Sequence, residues 1–416
     1  MKRSIRIWEG VKTALIVLLL CSALLLASSL ISELASGQSL LQRAGSALGW
    51  FSAEPAYVPT TERYASAADP LAISMTGGNG RGSTVGEPER TAALYDSLGR
   101  GLGEALATAG MPVALPEADW LALLRGESVS VRYPGEIPLE SLARWLGAEP
   151  SGALSGVSAA LVTLCIDGAQ VSLLLRSESL WLCMSTALNP EALRQTLESC
   201  RPDGSLFAME DETLSQLDPL SLLTVSAVLP EATGENALTD GDRINAAATL
   251  LGLNPYRDTA LSDANGTVSI SGATGRMRVT AAGILRYTAA ETRTAARSTT
   301  ALIEDARALL AQLNPGGDAA LQLSSCTEED GAVVLCFDYV LSGYRVRLPD
   351  GPAATLRYEG GTLADLTWTA RRYTLTGVSQ TLWPARVAAA VVAPGTLLEP
   401  LYEDNGGTLT CGWPAE

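Results

Sequence analysis

Histidine is absent from all 416 residues, and lysine occurs only at Lys2 and Lys12. Beyond residue 12 the chain therefore has no imidazole and no ammonium side chain. Ser-His-Asp and Cys-His nucleophilic units are excluded, and so is a Ser-Lys dyad in that part of the chain. The seven cysteines contain no CxxC pair, so without histidine a zinc site of ordinary spacing lacks ligands. The sequence implies no metal and no cofactor. Charged residues make up only 18% and hydrophobic ones 47%, which is ample for a packed core. Paired carboxylates alone can hydrolyse glycosides, but the acids are too numerous and dispersed to mark a pair. The run Glu328-Glu329-Asp330 reads as the cap of a solvated turn.

The charge that is present divides unevenly. The first twelve residues hold Lys2, Arg3, Arg6 and Lys12 against Glu9, net +3, whereas the remaining 25 arginines and 44 acids leave −19. So acidic a surface, with its arginines scattered, excludes nucleic acid as a partner. Immediately after Lys12 comes Thr13–Ser32, TALIVLLLCSALLLASSLIS, without one charged residue. At about 1.5 Å per residue it makes a helix of roughly 30 Å, the thickness of a bilayer core. Basic residues precede the run and Glu33 follows it, which predicts a cytoplasmic N-terminus and an extracytoplasmic remainder. The run exceeds the usual signal-peptide length and lacks a good cleavage site, so it reads as an uncleaved single-pass anchor in the cell membrane. Ala23 and Ala27, with Ser28 and Ser32, form a small-residue face suited to contact with another membrane helix.

Residues 33–66 are rich in Ser, Ala, Gly and Pro and read as a stalk. Leu94, Leu98, Leu102 and Leu106 make an apolar stripe on a helix opened by Pro88 and closed by Gly110. Helices are also expected over 116–125, from Pro138 to Gly147, and over 190–199, 240–251, 298–313 and 384–393. Strands are expected at 71–76, 127–133, 159–166, 171–176 and 179–183, then at 266–271, 276–281 and 283–288. Further strands fall at 319–325, 332–341, 344–348, 355–358 and 362–373, with a short pair around Leu401 and Leu409. The pattern loosens over 210–240, which places a boundary near 230. Hairpins separated by helices indicate an α+β fold: two extracytoplasmic lobes, 67–230 and 231–416, each a twisted antiparallel sheet with packed helices.

Several local patterns have bland readings. The glycine-rich loop 77–82 lacks the lysine of a phosphate-binding loop. Asp263-Ala264-Asn265-Gly266 lacks the twelfth-position glutamate of a calcium loop. Asn265-Gly266-Thr267 fits a glycosylation sequon and implies nothing more here. Trp120, Trp145, Trp368, Trp383 and Trp413 are expected in the core. Cys326 and Cys336 flank the turn at 328–331, so a disulfide across two strands is a candidate.

Three stretches together resemble the YycH/YycI family, membrane-anchored regulators of an essential cell-wall two-component system in Gram-positive bacteria. They are the anchor WEGVKTALIVLLLCSALLLASSLIS from Trp8, the meander LNPYRDTALSDANGTVSISGATGRMRVTAAGILRYT from Leu253, and the part from Ala332 onward. That last part includes VVLCFDYVLSGYRVRL, the Trp368 strand and YEDNGGTLTCGWPAE. Residues 127–147, ESVSVRYPGEIPLESLARWLG, are similar to the first lobe of clostridial members. The low lysine and high arginine and alanine content suggests a GC-rich member. The resemblance implies a non-enzymatic protein that binds and modulates a sensor histidine kinase, beside a companion single-span regulatory protein. It carries over no catalytic residues. The other reading, without a kinase role, is an extracytoplasmic binding module for a peptide or cell-wall fragment.

Overall fold

A computed structural model describes residues 64–177, 180–225, 227–292, 295–314 and 316–414. The expected anchor 13–32, with Ala23, Ala27, Ser28 and Ser32, lies outside the described residues. Among the described residues no helix is long and apolar enough to cross a membrane.

In the N-terminal half, β1 (Ala72–Gly77) and β2 (Gly80–Ser83) form a hairpin, followed by α1 (Pro88–Ala107) and the short β3 (Val113–Ala114). Next come α2 (Glu117–Leu124), β4 (Ser128–Pro138), α3 (Leu139–Trp145), and β5 (Ser158–Asp167), β6 (Gln170–Ser177) and β7 (Leu180–Ser185). Then α4 (Pro190–Leu197) leads to the small pair β8 (Leu206–Phe207) and β9 (Leu222–Leu223). The strand order is β2-β1-β4-β5-β6-β7-β3, all antiparallel.

The C-terminal half opens with β10 (Val228–Asn236) and α5 (Gly241–Leu250). The meander β11 (Thr259–Ser262), β12 (Val268–Ser271), β13 (Gly275–Val279) and β14 (Ile284–Ala289) precedes α6 (Thr299–Leu313). After it run β15 (Ala319–Glu329), β16 (Ala332–Leu341), β17 (Tyr344–Arg347), β18 (Ala354–Glu359), β19 (Thr362–Thr369) and β20 (Arg371–Thr381). Then follow α7 (Ala385–Ala389), β21 (Leu401–Asp404) and β22 (Leu409–Gly412).

The fold is α+β, as the alternation of hairpins and helices indicates. Its two groups of strands, however, are joined into one 18-stranded sheet. The link is β4. Its register against β5 breaks between Arg132 and Ile137, and Glu136 then pairs in parallel with Ser325 of β15. A second parallel pair, β17 with β21, makes the sheet mixed rather than antiparallel throughout. The crossing requires Gly135, where a methyl group would overlap the Ser324 carbonyl oxygen and come within 2.8 Å of its carbon.

One continuous apolar cluster spans both halves. Leu98, Leu102 and Leu106 of α1 are buried in it, with Leu142 of α3 and Leu302, Ile303, Ala306 and Leu310 of α6. The expected leucine stripe and the amphipathic face of α6 therefore both face the core, each buried leucine contributing about 1.5–3 kcal/mol. The hydroxyls of Ser141 and Thr300 meet at 2.9 Å and tie α3 to α6. Side-chain caps sit where the sequence offers them. Asn189, Asp240 and Ser298 accept backbone N–H groups at the starts of α4, α5 and α6.

Other expectations need correction. The loosened stretch before residue 240 contains β10, a strand paired with β20 along its length. The run 362–373 is two strands, broken at Ala370, and the expected helix 384–393 is only five residues long. The Cys326–Cys336 disulfide is not formed, both thiols being free. Asp330 and Gly331, with φ of 52° and 75°, make a two-residue turn that sets Cys326 opposite Leu335 and Cys336 opposite Ser325. Facing residues share one side of a sheet and neighbours alternate, so the two thiols leave from opposite faces. Trp120 and Trp368 are buried as expected, whereas Trp383 is 67% exposed.

Candidate functional site

The alternation in β4 explains where a charged cluster arises. Val129, Val131 and Tyr133 face the helix-covered core, so Ser128, Ser130 and Arg132 face the other side of the sheet. That side is also buried. Trp120 and Leu124 of α2, with Phe207, Leu220 and Leu222, pack against Leu161, Cys165 and Leu174 there. Ser130 is satisfied by the Thr163 hydroxyl at 2.8 Å. Arg132 lies in a cross-strand row between Ala72 and Leu161, at the last paired position before the register of β4 against β5 breaks, to resume at Ile137 opposite Ala159.

Arg132 is 9% exposed and sits between two adjoining cavities. The larger, about 230 Å³, is walled by Arg132, Arg176 and Asp218 with Glu136, Leu161 and Leu397. The smaller, about 30 Å³, separates Arg132 from Tyr344, Arg345 and Glu399. Leu397 borders both. The site thus lies where the two halves of the chain meet.

The neighbouring charges are paired. Arg176 Nη1 donates to Asp218 Oδ2 at 2.5 Å and its guanidinium lies 4.9 Å from the centre of the Trp181 ring. Asp218 Oδ1 accepts the Leu220 N–H at 2.9 Å, which turns the Leu220 carbonyl onto Arg132 Nη2 at 2.6 Å. Arg345 Nε donates to Glu399 Oε1 at 2.9 Å, and its Nη1 to the Pro134 carbonyl at 3.3 Å. The charge of Glu399 raises the Arg345 pKa despite burial.

Arg132 differs. It makes the one hydrogen bond to Leu220 and no ion pair among the described residues. Burial lowers its pKa, and Glu399 and Asp218 only partly offset this, because Arg345 and Arg176 push the same way as burial. Arg81, buried to a similar degree, is instead held by Glu210, by Thr76 Oγ1 at 3.0 Å and over the Phe207 ring at 4.5 Å.

The remaining sequence candidates do not converge on this site. Cys326 packs against the main core, where burial pushes its thiol up to about 12, and Cys336 lies 3.9 Å from the Thr355 hydroxyl. Asp263 caps its own turn by accepting the Asn265 and Thr267 N–H groups. Among the described residues no cluster of three or more Cys, Asp or Glu side chains could hold a metal. The exposed Trp383 and Val391 line a separate, largely apolar cavity with Trp413 instead.

Sequence reading passed over Arg132. The available signal was an arginine in register with Ser128 and Ser130 in a strand otherwise apolar, which marks a polar row rather than a solvent face. No family model, curated protein or solved structure matches the chain.

Proposed function

We propose that the chain is a non-catalytic, membrane-anchored regulatory protein that binds and modulates a cell-envelope sensor histidine kinase. Support comes from the sequence: the anchor pattern at 13–32, the want of imidazole and ammonium groups beyond residue 12, and the likeness to the YycH/YycI family. The observation that carries the reading furthest is the joining of both halves through β4 and one continuous core. A body joined in this way presents both halves to a partner together. Binding that favours one kinase conformation by about 1–3 kcal/mol shifts its signalling output some 5- to 150-fold. Ala23, Ala27, Ser28 and Ser32 form the membrane contact in this account. The test is to replace residues 13–32 by an unrelated anchor and follow a kinase-dependent reporter. Loss of regulation with the protein still at the membrane supports the contact; unchanged regulation removes it.

A second reading, an extracytoplasmic binding module without a kinase role, is favoured by one observation, the cleft around Arg132.

A further inference from the structure

We propose that the cleft between the two halves is a binding site for a small monocarboxylic acid, with the guanidinium of Arg132 as its anchor. This inference does not depend on whether the chain contacts a kinase.

A guanidinium has five N–H donors and is costly to bury without an acceptor. Arg132 is nine-tenths buried, yet only its bond to the Leu220 carbonyl is made by the protein. Its other nitrogens are not sealed in protein without a partner, and the side chain forms the wall between two cavities. They are thus open to the cleft. Of the three arginines around it, Arg176 is taken by Asp218 and Arg345 by Glu399. Glu136, on the wall of the larger cavity, has an interaction of its own. One cation is left over, in a space of about 230 Å³. At about 30 Å³ for each water-sized group, that space holds roughly eight non-hydrogen atoms and not a folded partner.

The surrounding acids select the class of anion. A planar carboxylate accepts two parallel N–H bonds from one guanidinium. A phosphate dianion would face Asp218 and Glu136 with only one unpaired cation to neutralise it. The Ala160 and Leu161 wall suits the short apolar body of an organic acid. The Asp218 turn, which aims the Leu220 carbonyl at Nη2, fixes the guanidinium plane before a ligand arrives, so little ordering is left to binding.

The test is calorimetric titration of the full chain in detergent micelles with N-acetylglycine, its neutral amide and inorganic phosphate. N-acetylglycine is expected to bind, the amide not measurably, and phosphate more weakly. Trialanine with a free carboxylate distinguishes the sources of the group. If it binds as well as N-acetylglycine, the cleft accepts a peptide end; if it does not, a free acid. Arg132→Gln should lower affinity for N-acetylglycine at least roughly tenfold, the worth of a charge-assisted bond. Leu397→Trp, which fills the space and leaves Arg132 in place, should do the same should the first variant not fold. Absence of N-acetylglycine binding, equal binding of its amide, or full affinity in both variants overturns the proposal.

Discussion

Gly135→Ala tests the junction on which both the fold and the cleft depend. β4 meets β15 beside this residue, in the stretch where its pairing with β5 lapses, and an added methyl would overlap the Ser324 carbonyl oxygen. The obstacle is backbone, at the bulge residue of β15, not the tip of a side chain that could swing away. Relief requires β4 and β15 to separate, so the cost lies toward the upper end of overpacking, roughly 3 kcal/mol. Replacing glycine also restricts the unfolded chain, which returns about 0.4–1 kcal/mol. The net expectation is a loss of about 2 kcal/mol. Urea unfolding followed by tryptophan emission would read it as a lower midpoint with an unchanged slope. Gly78→Ala is the control, because nothing lies within 4 Å of a methyl there. A Gly135→Ala protein as stable as its Gly78→Ala counterpart would refute the close crossing, and with it the position assigned to Arg132.

Asp404 is buried and accepts the Tyr373 hydroxyl at 2.7 Å, Arg371 Nε at 3.2 Å and the Gly407 N–H at 2.6 Å. Asp404→Ala strands Arg371 and the phenol, so urea unfolding should show a loss of about 3–5 kcal/mol. Burial raises the Asp203 pKa, but hydrogen bonds from Ser205 and Ser83 outweigh it and hold the carboxyl below its ordinary 3.8. The resulting stability is present above 3.8 and lost as pH falls through the depressed value. Asp203→Asn should therefore flatten the acid limb of a stability profile taken from about pH 5 down to about pH 2; an unchanged limb would contradict the assignment. Burial pushes the Cys165 and Cys326 thiols up to about 12. Both should resist a thiol reagent in the native protein, and Cys326 and Cys336 should label on unfolding without reductant. Failure of that pair to label would restore the disulfide.

Local structure was legible where local chemistry decides it. Pro88 and the leucines at 94, 98, 102 and 106 announce α1, and Ser298 with the apolar face to Leu313 announces α6. Asp330-Gly331 announces the turn between β15 and β16, yet not which residues face each other. The two-residue loop settles that, and it separates Cys326 from Cys336. β10 was hidden because its partner, β20, lies about 140 residues away, and its burial alternates between buried, half-buried and exposed positions with Glu, Thr and Gly. Arg132 was hidden for a related reason. Its surroundings come from Arg176, Asp218, Arg345 and Glu399, which no sequence window holds together and only the folded chain assembles.

The most direct measurement of the regulatory account is crosslinking of the full-length protein within the membrane of its own host, with partners identified by mass spectrometry. The account requires a sensor histidine kinase among them, joined through residues 13–32 and accompanied by a second single-span protein. Recovery of cell-wall proteins or of no partner, with no kinase, would contradict it and leave the binding-module reading in its place.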